Sequence, residues 1–235
     1  MLTIWGRLSS INVRKAVWAA QEVGVAFERI DAGAAFGVVK TPPYLRLNPN
    51  ALVPVLQDGD LTLWESNVIV RYLCARYGAP TLAAARVSLP PEGSVPGLGR
   101  PGAAAHRAPA LYPEPLAQRF NAERWMDWQQ TTLNPAGRNA FMQLIRTAPE
   151  QRQAHLIEQS NQDTEPLMAM LDTHLREHAF MAGDHFTMAD IPIGCEVHRW
   201  FGLPQAHPPR PHLDRWYQTL CERPASMGVL DLTLS

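Results

Sequence analysis

Apolar and polar positions follow two rhythms along the chain, and the change between them divides it. Residues 2–5 (LTIW) make an apolar run of strand length. From there Val13, Ala16, Val17, Ala20 and Val23 recur at the spacing of one helix face. After Gly24 the alternating VAFERID reads as a second strand, so the chain opens as a β-α-β unit. LVPVLQDGDLTLW then holds two apolar runs around Asp58-Gly59-Asp60, a hairpin signal, and ESNVIVRYLCARYG has helical periodicity ending at Gly78. The first 78 residues therefore predict a small mixed sheet flanked by helices.

From residue 113 onward the strand rhythm disappears. Leu116 to Thr132, Glu150 to His178, Thr187 to Gly202 and His212 to Arg223 all show the 3.6-residue period, with breaks expected at Asn134-Pro135, Gly183-Asp184 and LPQAHPPRP. Between the halves, RVSLPPEGSVPGLGRPGAAAHRAPA is too rich in Pro and Gly to sustain a helix or strand. It reads as an excursion between domains, or as a lid over a cleft between them. The expected organisation is an α+β domain over 1–79, a linker with this insertion over 80–112, and an all-α domain over 113–235.

Composition narrows the function. With 235 residues the chain can bury a sizeable core, and 21 basic against 22 acidic residues leave a net charge of −1. No basic run tracks a phosphate backbone, so a nucleic-acid partner is not expected. MLTIWGRL is too short an apolar run, and too soon interrupted by Arg7, for a signal peptide, and no uncharged run approaches the ~18 residues of a membrane span. A cytoplasmic protein with no membrane partner is the expectation. The 3 cysteines, Cys74, Cys195 and Cys221, form no CxxC pair and read as small buried hydrophobes.

Against this background the polar GRLSSINVRK, residues 6–15, stands out between two apolar runs. Ser9, Ser10 and Asn12 are good helix-capping residues, and a cap alone would explain them. Together with other motifs, however, they carry a resemblance. NPNALVPVL followed by LWESNVIVRYL, then FMAGDHFTMADI, resemble cytosolic glutathione transferases, and IWGRLSSINVRK is similar to the LWGRxxSxNVxK start of a bacterial branch with a theta-, delta- or nu-like thiol site. Apart from residues 83 to 110 the resemblance covers nearly the whole chain.

The resemblance implies a thioredoxin-like N-terminal domain, an all-helical C-terminal domain, glutathione as co-substrate, no metal, and a homodimer. It implies that Ser10, Asn12 or both stabilise the glutathione thiolate. A thiol of pKa near 8.5 is only a few per cent ionised at neutral pH, and lowering it by two units takes roughly 2.7 kcal/mol. One or two hydrogen bonds to the anion, at about 1.5 to 3 kcal/mol each, suffice. In the family, the residue before a cis-proline pairs with the cysteinyl backbone, which here implies Val53 and Pro54. Glu65 and Ser66 match the grip on the γ-glutamyl end, and Lys40 is the candidate for the glycyl carboxylate. Arg7, Leu8 and Trp128 are candidates for the electrophile pocket. Ala51 and Leu52 depart from the polar residues many relatives carry there.

The implied activity is conjugation of glutathione to a small electrophile, by addition or halide displacement. Glutathione-dependent disulfide or peroxide reduction, hinted at by Asn12, and a non-enzymatic interaction protein of the same fold are the alternatives. Two further motifs are read as structural. FTMADI fits a capping box, with Thr187 as cap, Asp190 reaching back and Phe186 as staple. HLREH has the order of an inverted zinc motif but lacks a third ligand, and its histidines are expected to face solvent.

Overall fold

The computed structural model describes residues 1–78 and 110–235. Most of the Pro- and Gly-rich stretch therefore lies outside the described residues. Four short strands, β1 (Leu2–Trp5), β2 (Phe27–Ile30), β3 (Val55–Asp58) and β4 (Leu61–Trp64), form one sheet in the order β2-β1-β3-β4. β1 and β2 run parallel, as a β-α-β crossover requires, while β3 and β4 are an antiparallel hairpin whose β3 pairs antiparallel to β1.

Alternation along the strands gives each face its own core. Ile4 and Leu56 point into the main core with α1 (Ile11–Glu22) and α3 (Ser66–Tyr77). Their neighbours Trp5 and Val55 join Ala32 and Tyr44 in a smaller cluster on the other face. Tyr44 belongs to α2 (Pro42–Leu47), a helix absent from the periodicity reading, although Thr41 as N-cap with proline at N1 is a start signal.

The second half is helical among the described residues: α4 (Leu116–Trp128), α5 (Asn134–Phe141), α6 (Ala154–Glu177), α7 (Asp190–Phe201) and α8 (Pro211–Cys221). The break expected at Asn134-Pro135 is instead a widened π turn, Gln129–Leu133, through which α4 runs on into α5. Proline lacks the N–H that a regular turn would need, and the wider turn accommodates it.

Helix α1 is the spine that joins the halves. Its Trp18 is wholly buried against Gly194 of α7, where a Cβ would come within 2.9 Å of the indole. Glu22 Oε1 and Oε2 accept hydrogen bonds from Arg223 at 2.6 Å each, tying the end of α1 to the end of α8. Cys74 and Cys195 are buried as expected, whereas Cys221 is half-buried. No described helix is long and apolar enough to cross a membrane.

Candidate functional site

The start of α1 is held by close approach. Gly6 ends β1 with φ of 146°, and a Cβ there would lie 2.4 Å from Val13 Cγ2 and 3.1 Å from Val53 Cβ. Only glycine allows the end of β1, the first turn of α1 and the Val53-Pro54 loop to meet so closely. Ser10 occupies the N-cap, its carbonyl accepting from the Val13 and Arg14 N–H groups at 3.0 Å each. Its hydroxyl, however, makes no capping bond and has no hydrogen-bond partner among the described residues. The hydroxyl lines a cavity of about 130 Å³ together with Arg7, Ser9 and Ile11.

Asn12 sits one turn further along and reaches α3. Its Oδ1 accepts a hydrogen bond from Ser66 Oγ at 3.2 Å, which links the N-termini of α1 and α3 and fixes the amide so that Nδ2 remains a donor. Ser66 is buried, and Glu65, the exposed residue before it, has φ of 71°. A left-handed conformation costs a non-glycine residue of order 1 kcal/mol or more and is concentrated at functional sites.

The Val53-Pro54 bond is cis. The loop before it is shaped by groups that the sequence reading did not single out. The Leu52 carbonyl accepts from Tyr44 Oη at 2.8 Å and Asn48 Nδ2 at 2.9 Å, while Asn48 Oδ1 accepts from the Asn50 N–H at 3.0 Å. Loop geometry is thus set by Tyr44 and Asn48, and the apolar side chains of Ala51 and Leu52 have no part in it. Lys40 is exposed in the loop ahead of α2 and has no ion-pair partner among the described residues.

The far side of the cavity comes from the helical half: Phe141 of α5, Arg146 just beyond it, and Cys195, His198 and Arg199 of α7. The final residues fold back across it, so that Leu234 and Ser235 complete the lining. Arg14 holds this tail. It is 4% exposed and its guanidinium donates to the carbonyls of Leu8 (2.7 Å), Val229 (3.2 Å), Leu232 (3.2 Å) and Thr233 (2.8 Å). Arg146 donates to the Ser235 carbonyl through Nε at 3.1 Å and to Ser9 through Nη2 at 2.8 Å. Burial pushes the Cys195 thiol up to about 12, so it stays protonated and offers no competing nucleophile.

Behind the cavity runs a buried polar chain. Lys15 Nζ donates to Gln129 Oε1 at 2.9 Å, Gln129 Nε2 donates to Glu196 Oε1 at 2.8 Å, and Glu196 pairs with Arg199 at 2.5 Å. Asn67 Nδ2 joins it at Gln129 Oε1, 3.2 Å away. The π turn is what carries Gln129 to this position between α1, α3 and α7.

Of the sequence candidates, Arg7 and Ser10 share the cavity, and Asn12 and Ser66 are bonded to each other. Leu8 is half-buried against the core and does not line the cavity, and neither does Trp128, whose ring stands edge-to-face on Trp125 at 5.4 Å. His174, expected in solvent, is half-buried between Trp125 and His178 with Nε2 at 3.0 Å from the Met181 carbonyl. Burial and the neighbouring His178 lower its pKa. Among the described residues no cluster of His, Cys, Asp and Glu could hold a metal. A wider cleft of about 530 Å³, lined by Pro113, Gln118, Asp184 and Thr187 among others, contains none of the candidate site residues.

Sheet order, a cis-proline loop facing a helix N-terminus and a helical second half together define a thioredoxin-like transferase scaffold. Family comparison agrees in both halves: residues 1–75 match the glutathione S-transferase N-terminal domain and residues 134–224 the C-terminal domain. Glutathione S-transferase GstB of Escherichia coli K12 is 38% identical, with 100% of both chains covered. The crystal structure of the theta class glutathione S-transferase from Xanthomonas axonopodis pv. citri with glutathione bound has a TM-score of 0.84 at 39% identity, covering 100% of this chain and 99% of that one. Glutathione S-transferase 3 of Zea mays is more distant, at 27% identity over 95% of this chain and 90% of its own. The chain belongs to the glutathione S-transferase family.

Proposed function

We propose that this glutathione transferase ionises the thiol of bound glutathione with the Ser10 hydroxyl, assisted by the Asn12 amide, and delivers the thiolate to a small electrophile. The observation that carries this reading is the Ser10 hydroxyl: it stands at an N-cap without capping and lines a cavity. The first N–H groups of α1 add positive potential at the same place. The thiol proton leaves to solvent, and the sulfur attacks by addition or by displacing a halide.

The tripeptide's cysteinyl backbone then pairs with Val53 ahead of Pro54, its γ-glutamyl end lies at Glu65 and Ser66 on the N-terminus of α3, and Lys40 meets its glycyl carboxylate. Support comes from the strained Glu65, the Ser66–Asn12 link and the held Leu52 carbonyl. The domain division at 1–79, 80–112 and 113–235, a cytoplasmic location and a homodimer belong to the same reading. Exposed Leu116 and Phe120 on α4, with Val68 on α3 and Trp64 on β4, favour the dimer.

The deciding experiment is a pH titration of thiolate absorbance for glutathione bound to wild type, Ser10→Ala and Asn12→Ala, with calorimetry to establish binding. The expected wild-type thiol pKa lies about two units below the free value, and Ser10→Ala returns most of that shift. If the shift follows Asn12 instead, and hydroxyethyl disulfide is turned over without conjugation, the disulfide reductase reading replaces this one. Unshifted or absent glutathione would sink both and favour an interaction protein.

A further inference from the structure

We propose that the cavity beside Ser10 selects electrophiles that carry a carboxylate or a similar small anion, recognised by Arg7 and Arg146. This rests on the thiol-activating reading above and names the substrate class of that same site.

Two guanidinium groups from distant parts of the sequence line one small cavity with Ser10. Neither is neutralised. Arg7 has no hydrogen bond or ion pair through its guanidinium to any described residue, and its Nη1 lies over Gly33, 2.7 Å from where a Cβ would stand. Arg146 donates only to uncharged carbonyls, those of Ser9 and Ser235, through Nε and Nη2, so Nη1 remains available. The other cations of the lining are already committed: Arg14 to main-chain carbonyls and Arg199 to Glu196.

Buried or half-buried arginines without a counter-charge are costly, and an arriving anion removes that cost. Arg146 itself registers the strain, because burial first and then the neighbouring Arg7 charge lower its pKa. The glutathione thiolate does not fill the vacancy, since the Ser10 hydroxyl and the helix N-terminus already serve it. A planar guanidinium fork instead matches the two oxygens of a carboxylate. The cavity of about 130 Å³ has room for a group the size of a few water molecules, each of about 30 Å³, which suits a short acid rather than an aromatic ring.

With a 2-halo acid the chemistry balances without an added reactant. The thiolate sulfur forms a bond to the α-carbon, the carbon–halogen bond breaks, and halide departs with the bonding pair. Nothing is oxidised by an outside agent, and the carboxylate stays on the guanidinium groups, aligning the α-carbon with the sulfur.

Equilibrium binding tests this without needing turnover. Calorimetry would compare S-carboxymethylglutathione with S-carbamoylmethylglutathione, which differ in charge but hardly in size, using S-methylglutathione as reference. Wild type should bind the acid about ten- to a hundredfold more tightly than the amide. That ratio should collapse toward parity in Arg7→Gln and in Arg146→Gln, and survive in part in Arg7→Lys. Equal affinities in a wild type that binds S-methylglutathione would overturn the anion selection while leaving thiol activation standing. A preference that persists in both Gln variants would overturn the assignment to these two arginines. Failure to bind S-methylglutathione would remove the glutathione reading and this inference with it.

Discussion

Lys15 shows how one residue couples the thiol helix to the rest of the molecule. It is 0% exposed, and its ammonium meets an amide oxygen rather than a carboxylate. Burial pushes its pKa down to about 8 from 10.5, with Glu196 working against the shift and Arg199 adding to it. Because the folded value is the lower one, the folded state binds fewer protons between those two pH values, and stability rises as pH rises through that window. Relative to Lys15→Met, wild type should therefore gain about 3 kcal/mol between pH 8 and pH 10.5, read from urea denaturation at several pH values. A difference that stays flat with pH would mean that the ammonium is solvated or ion-paired in solution. The same residue-scale reading separates Ser10 from an ordinary cap. Its position is that of a cap, but its hydroxyl is unused by the helix.

At the scale of elements, α7 depends on the carboxyl of Asp190. This group is fully buried and accepts from the N–H groups of Met181 and Thr187 at 2.9 Å each and from Trp216 Nε1 at 3.0 Å. Thr187 Oγ1 accepts in turn from the Ala189 N–H at 3.3 Å, so the capping box expected from FTMADI is present, and it extends to α8. Burial raises the Asp190 carboxyl to about 6 in spite of these donors. Asp190→Ala would strand three buried donors and should cost about 3 to 5 kcal/mol in urea unfolding. A loss under about 1 kcal/mol would show that water replaces the carboxyl, which the absence of exposed surface argues against. Since α7 supplies His198 and Arg199 to the cavity, the capping box supports the site through its helix alone.

For the whole molecule, α1 lies between the sheet and α7, so the site is made where the two halves meet. The tail clamped by Arg14 closes it from the other side. The predicted homodimer would cover Leu116 and Phe120, which are 64% and 63% exposed in the single chain. Sedimentation at micromolar concentration should give about twice the chain mass, and Phe120→Glu should shift the population toward monomer. A wild-type monomer at that concentration would refute the dimer.

The sequence alone determined much. Strand and helix periodicities, the Asp58-Gly59-Asp60 turn and the capping box are local patterns, and each formed where the local pattern placed it. The motif GRLSSINVRK marked the start of the candidate site for the same reason, because a cap and a helix start are readable within a few residues. What tertiary structure decided is what depends on long-range approach. The cation pair of Arg7 and Arg146, the tail carbonyls on Arg14 and the Lys15–Gln129–Glu196 chain join residues far apart in sequence, with no periodic signal between them. The π turn that replaced the expected break at Pro135 is settled the same way, since Gln129 gains its partners only once α1 and α7 have closed around it. Trp128 illustrates the limit from the other direction: its spacing marked an aromatic cluster, but only packing set its ring against Trp125 and left Phe141 and Arg146 to line the cavity.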